Sequence, residues 1–161
     1  MCFPFLFGPQ SQQTWGTQMS QQETAQALVQ VLREHRDDLI TMLVEQAPAA
    51  GSGYEQAPLD VLRPRMASVV DACIASLARQ DPELLRGFMR AAAEQRLREG
   101  YSVDSLITLA LFTEGALTDT AEIAFEAAPE RRKEARKLIR ALIAAAEEVL
   151  DPIAASTPDE S

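Results

Sequence analysis

One stretch constrains the fold of this chain more than any other, the segment from Ser102 to Ala128. Drawn as a helix, its first half is apolar on nearly every side, with an almost unbroken apolar run from Leu106 to Phe112. A helix that is apolar all round is normally enclosed by the other elements of its protein. The segment therefore predicts an all-α domain that is built around a buried central helix.

The residues just before this helix form the most distinctive local pattern in the chain, RLREGYSVDSL. Gly100 suits the left-handed conformation that ends a helix, and Ser102 is a good N-cap for the next one. Asp104 places a negative charge in the first turn, where the helix dipole favours it. The pattern therefore predicts an arginine-rich helix end at Arg96 that stops at Gly100. Tyr101 is expected to pack as an aromatic residue in the connection, and a new helix begins after Ser102.

Length and charge narrow the possible functions. At 161 residues the chain is long enough for one domain with a sizeable core, and with 6% aromatic residues that core must be mostly aliphatic. A net charge of −9 repels phosphate backbones, so we expect no nucleic-acid partner. No apolar run approaches the roughly 18 residues that a membrane-spanning helix needs, so we expect no membrane partner.

The two cysteines, Cys2 and Cys73, lie in unlike contexts and lack the spacing of metal ligands. Cys73 falls on an apolar helical stripe, whereas Cys2 belongs to an uncertain tail. A disulfide scaffold is therefore not expected, and a reducing cytoplasm is the predicted location.

The N-terminal residues differ from the rest of the chain. Their apolar patch is short and lacks the basic region of a signal peptide. Met19 is followed by Ser20 and Glu23, which form a capping box at the start of a helix. The first segment is thus interpreted as disordered or as an upstream mis-start, with a small docking hook as the alternative. The predicted divisions are a tail at residues 1–18, one all-helical domain at 19–155 and a second tail at 156–161.

Helical periodicity predicts further helices over about residues 21–47, from about residue 58, over about 82–99 and over about 129–154. Pro64 lies inside the second pattern and predicts a kink or a split there. Gly87 and Gly115 each cost about 1 kcal/mol of helix propensity relative to alanine, which predicts that a neighbouring helix crosses closely at both.

The charges of the final helix oppose its dipole. Residues 131–133 are basic at the positive end, and Glu147, Glu148 and Asp151 are acidic at the negative end. An antiparallel partner helix with the same pattern would offset this cost, which favours dimerisation through this helix. The alternative is an ordinary solvated helix with ion pairs four residues apart.

The residues that metal or nucleophilic catalysis needs are sparse. His35 is the only histidine, so neither paired Glu-x-x-His motifs nor a Cys/His zinc cluster occurs. Cys73 has no second histidine beside it and is interpreted as a small apolar residue. Glu114, Asp119 and Glu122 share one side of the central helix and are interpreted as a solvated face. No nucleotide-binding fingerprint is present, so we predict a non-enzyme with no catalytic, metal or cofactor-binding residues.

The junction and the order of the helices resemble the N-terminal domain of the stressosome regulators called RsbT co-antagonists. The likeness spans roughly residues 21–154 and includes the start of the final helix, ERRKEARKLIRALI. It implies a globin-like bundle of five to six helices that lacks haem, pairs as a homodimer and senses signals in the bacterial stress response. Members usually continue into an output domain of the STAS type, so the expectation here is a free-standing sensor or an adaptor.

The leading hypothesis is therefore a cytoplasmic signalling module that binds a partner protein or a small apolar ligand and uses no cofactor. Its apolar pocket is expected near Cys73, Phe88 and Phe112. Dimer contacts are expected from the first and last helices, at Leu28, Leu32, Leu138, Leu142 and Val149. The alternatives are a haem or tetrapyrrole sensor with His35 as axial ligand, an enzyme with an unrecognised helical site, and a structural bundle within a larger complex.

Overall fold

A computed structural model describes residues 21–156 of the chain, and within that range all regular structure is helical. The predicted all-α class is confirmed. The predicted tail at residues 1–18 lies outside the described residues, as does the predicted tail at 156–161 except for its first residue, Ser156, which ends the last helix. The helices are α1 (21–34), α2 (Arg36–Gln46), α3 (Leu59–Arg79), α4 (Glu83–Arg98), α5 (Val103–Ala124) and α6 (Pro129–Ser156), with a short 3₁₀ turn at Ala47–Ala50.

The first predicted helix is divided in two at His35. This residue leaves the helical region, with φ −104° and ψ 16°, although its carbonyl still accepts the N–H of Leu39 at 2.9 Å. Its imidazole is exposed and lies 3.7 Å from Asp38. The single helix that periodicity predicts over about residues 21–47 is thus corrected, because His35 marks a surface bend between α1 and α2.

Helix α3 continues through Pro64 without a split. The missing N–H of proline would have bonded to the carbonyl of Asp60, four residues earlier. Both residues are exposed, so that carbonyl can be hydrated instead. The predicted split does not occur, and the exposed position of Pro64 lets water take the place of the missing hydrogen bond.

Helix α5 packs most extensively on α6 and also against α2, α4 and the 3₁₀ turn. Its enclosure is nevertheless incomplete. Leu111 is 50% exposed and Ile123 is 76% exposed. The expectation of a helix wrapped on every side is therefore corrected, since one face of α5 meets solvent.

The two mid-helix glycines do not mark close crossings. Gly87 and Gly115 are exposed, and a Cβ added at either would meet no atom within 4 Å. The close approach lies elsewhere, at Gly53, whose added Cβ would be 2.4 Å from Cγ of Tyr101. Among the described residues, no helix is long and apolar enough to cross a membrane.

Candidate ligand-binding cavity

A cavity of about 330 Å³ lies between α3 and α4, with its floor on α5 and α6. This volume is at the lower end of the roughly 300–1,000 Å³ that is typical of small-molecule pockets. Short side chains keep it open, because Ala92, Ala110 and Ala146 project into it from three different helices. The cavity is thus a packing gap that four helices share.

The deep part of the cavity is aliphatic. Met66, Leu85, Leu106 and Ile143 line it and are almost entirely buried. Cys73 lines it as well, and burial raises the pKa of its thiol to about 12. At neutral pH the thiol is protonated, so this residue contributes an apolar surface and no nucleophile.

The pocket predicted from the sequence overlaps this cavity in part. Cys73 and Phe88 both line it, on α3 and α4. Phe112 does not, because it is half-buried against the core on another side of α5. That third residue is corrected, since its position on α5 turns it away from the gap between α3 and α4.

The cavity opens to solvent along the line where α3 faces α4. Pro64 and Ser68 on α3 line it and are exposed, as are Ala91 and Gln95 on α4. These rim side chains are short or polar, and the half-buried Val69 and Phe88 lie next to them along the same two helices.

Polar side chains gather at one end of the slot. Arg65 donates to Oε2 of Glu99 at 2.7 Å and to the hydroxyl of Tyr101 at 3.0 Å. Arg96 donates to Oε1 of the same Glu99 at 2.8 Å. The two guanidinium groups lower the pKa of the Glu99 carboxyl, with the hydrogen bond from Arg65 as the largest cause. We call Arg65, Arg96, Glu99 and Tyr101 the mouth cluster.

The junction pattern explains how local sequence builds this cluster. Gly100 has φ +93°, and its N–H donates to the carbonyl of Leu97 at 3.1 Å. The N–H of Tyr101 donates to the carbonyl of Arg96 at 2.9 Å. These two bonds form a Schellman motif, which ends α4 and holds Arg96, Glu99 and Tyr101 together. Ser102 then caps α5 by accepting the N–H of Ser105 at 3.1 Å, and Asp104 lies exposed in the first turn.

The loop before α3 supports the cluster from the other side. The rings of Tyr54 and Tyr101 meet edge to face, with centroids 4.8 Å apart. Burial raises the pKa of Tyr54 to about 12, so its hydroxyl stays neutral. The guanidinium carbon of Arg65 lies 5.8 Å from the centroid of the Tyr101 ring, within the range of a cation–π contact.

The charges around the cavity have one sign. Arg65 and Arg96 are among its lining residues, whereas Glu99 is not. No aspartate or glutamate of the described residues lines it, although the chain has 24 acidic residues. The charged residues that line the cavity are therefore both arginines, and the carboxylate that pairs with them is not part of its lining.

Sequence reasoning missed Arg65 and Tyr54. Neither residue belongs to the junction. Arg65 lies 34 and 36 positions from Glu99 and Tyr101 in the sequence, so the chain must fold before they meet. The one local sign that Arg65 could matter is its position between Pro64 and Met66, at the edge of an apolar stripe.

The remaining candidate residues take other roles. His35 is the chain's only histidine and does not line the cavity, so a haem placed there would not have it as axial ligand. Glu114 pairs with Arg140, and Glu122 pairs with Arg136 at 2.7 Å. Asp119 is exposed. No group of three or more potential metal ligands occurs in the described part of the chain.

The predicted dimer face is corrected. Leu28 and Leu32 are fully buried within the chain, and Leu142 and Val149 are buried as well. Leu138 is half-buried against the same core. The four buried side chains fill the interior of one molecule, because the apolar stripes of the first and last helices face their own neighbours, so these four are not available to a second copy.

Comparison with known proteins adds no relative: no family model, no curated protein and no solved structure matches this chain. Functional inference therefore depends on the cavity and on the sequence resemblance.

Proposed function

We propose that this chain is a non-enzymatic bacterial signalling module that binds a small apolar ligand in the cavity between α3 and α4. The observation that carries the proposal is the cavity itself, about 330 Å³ with a buried aliphatic floor and an open slot. Transfer of apolar ligand surface out of water contributes about 25 cal/mol per Å². The lining offers this driving force without any group suited to covalent chemistry.

The signalling role rests on the resemblance to RsbT co-antagonists. The same resemblance supports the globin-like arrangement, the cytoplasmic location, the homodimer and the partner protein. The position of the cavity supports such a role. Its lining includes residues of four helices, and its mouth lies at the α4–α5 junction. A bound molecule thus contacts several elements whose relative positions a partner can read.

The haem-sensor alternative has weaker support. That alternative uses His35 as the axial ligand of the haem. His35 lies on the surface at the bend between α1 and α2. A haem bound in the cavity would need another ligand, and the deep lining is aliphatic apart from the protonated Cys73 thiol.

The test is a titration with the uncharged fluorescent probe N-phenyl-1-naphthylamine. We expect saturable fluorescence enhancement with the unaltered chain. Ala92→Phe places a ring at a half-buried lining position and should weaken binding at least tenfold. The matched control is Ala141→Phe, at an exposed position of α6 that does not line the cavity, and it should leave the affinity unchanged.

Equal affinity in all three proteins would place the probe elsewhere and overturn the proposal, as would the absence of any saturable binding. Native mass spectrometry of the chain purified gently from its own cells gives a second readout, because a retained molecule appears directly as added mass.

A further inference from the structure

We infer that the ligand is an anionic amphiphile, a single aliphatic chain that lies in the cavity and ends in one acidic head group at Arg65 and Arg96. This inference rests on the proposed function and deepens it. The observation behind it is the juxtaposition of an apolar cavity with two cationic side chains at its mouth.

The charge balance of the mouth favours an anion. Two guanidinium groups share the single carboxylate of Glu99, which leaves one net positive charge at the cavity. The molecule as a whole carries −9. Its general field repels anions, so a local positive site at the end of an apolar cavity selects the head group and its position.

Partial burial makes these charges effective. The Arg65 and Arg96 side chains are 19% and 12% exposed, so they are less screened than ordinary surface arginines. Charge-assisted hydrogen bonds to a carboxylate are roughly twice as strong as neutral ones. A head group at the mouth therefore gains more than one that stays in bulk water.

The guanidinium groups also have donors for a second anion. Each arginine carries five N–H donors. Arg65 uses one for Glu99 and one for Tyr101, and Arg96 uses one for Glu99 and also hydrogen-bonds to the Tyr54 hydroxyl, so each keeps further donors. A carboxylate that approaches from the cavity side can thus bond to the pair while Glu99 keeps them in place.

Other ligand classes fit the mouth less well. A cationic head would be repelled by the pair of arginines. A neutral head would gain no charge-assisted bond, so its affinity would come from the apolar chain alone. The matched ligands decanoate and 1-decanol separate these contributions, because they share an alkyl chain and differ in the charged head.

The experiment displaces N-phenyl-1-naphthylamine from the chain with decanoate or 1-decanol, below the concentration at which decanoate forms micelles. Arg65→Gln and Arg96→Gln should each weaken decanoate binding about tenfold and leave 1-decanol unchanged. Glu99→Gln removes the competing negative charge but keeps an amide oxygen that can accept from the arginines, so it should tighten decanoate binding. The control is Arg90→Gln, at an exposed position of α4 outside the lining, and it should change neither affinity.

The outcomes separate the two proposals. If 1-decanol binds and decanoate does not, the anionic head is excluded while the apolar cavity stands. If the arginine variants weaken both ligands equally, the arginines only maintain the cavity and the inference fails. If the probe itself does not bind, the proposed function fails first. Thermal unfolding of each variant shows whether it is folded, and Arg65→Lys, which keeps the charge, should retain part of the preference for decanoate.

Discussion

At the scale of single residues, Gly53 has the tightest surroundings of any glycine described. Its φ of +97° is a conformation that other residues rarely adopt, and its Cα faces the Tyr101 ring. That ring in turn contacts the ring of Tyr54, and the Tyr101 hydroxyl accepts a hydrogen bond from Arg65. A glycine in the loop before α3 thus fixes the position of an aromatic residue at the mouth of the cavity.

We expect Gly53→Ala to lower the free energy of unfolding by about 2–4 kcal/mol, because backbone strain and a steric clash add. The measurement is urea denaturation within a double-mutant cycle with Tyr101→Ala. Truncation of the ring removes the clash, so the cost of Gly53→Ala should fall to that of strain alone in the Tyr101→Ala background. Additive losses would show that the ring is not what restricts Gly53.

At the scale of helices, Gly87 in α4 and Gly115 in α5 lie in open space on exposed faces. Glycine in a helix interior costs stability through the entropy that it loses on folding, and nothing in the described structure requires either residue to lack a side chain. Gly100 contrasts with both, since its φ of +93° ends α4.

Gly87→Ala and Gly115→Ala should each raise the free energy of unfolding by about 0.5–1 kcal/mol, measured by urea denaturation. Gly100→Ala is the control of opposite sign and should lower it by about 1–2 kcal/mol, because alanine is strained in the left-handed region. A loss of stability in Gly115→Ala would contradict the open surroundings of that residue.

Local signals predicted local structure well. The glycine stop at Gly100 and the N-cap at Ser102 act within a few residues, and both occur as expected. The rotation of each helix was harder to predict. In α4 the pairs Leu84–Leu85, Phe88–Met89 and Ala92–Ala93 form two adjacent apolar stripes, and periodicity cannot say which one faces the core. The structure buries Leu85, Met89 and Ala93, and it leaves Phe88 and Ala92 at the cavity.

The site was predictable only in part for the same reason. Arg96 belongs to the junction and was identified, because its surroundings are set by neighbours in sequence. Arg65 and Tyr54 reach the mouth only when α3 and the preceding loop pack against α4. Such contacts depend on the tertiary arrangement, and a single sequence carries no direct record of them.

At the scale of the whole molecule, ion pairs and apolar stripes of α6 are used within one chain. Glu148 accepts from Arg86 of α4 at 2.9 Å, and Arg136 donates to Glu122 of α5 at 2.7 Å. Partners inside the molecule thus offset part of the charge pattern that suggested an antiparallel second copy. A homodimer would have to use exposed residues instead.

Leu32→Ala should lower the free energy of unfolding by about 2–5 kcal/mol, because the side chain is fully buried in the core. The loss should be the same at low and high protein concentration. Leu111→Ala, at a half-exposed position of α5, is the control and should cost less than about 1 kcal/mol. If Leu32 belonged to a dimer interface, its cost would instead vary with concentration in urea denaturation.

The open slot between α3 and α4 has a kinetic consequence. Its rim carries Pro64, Ser68, Ala91 and Gln95, all exposed, and no large apolar side chain among them closes the cavity. For the ligand that we propose, we expect exchange through this slot without the unwinding of any helix. Occupancy would then follow the free concentration of the ligand from moment to moment, as a reporter requires and as a long-term carrier does not.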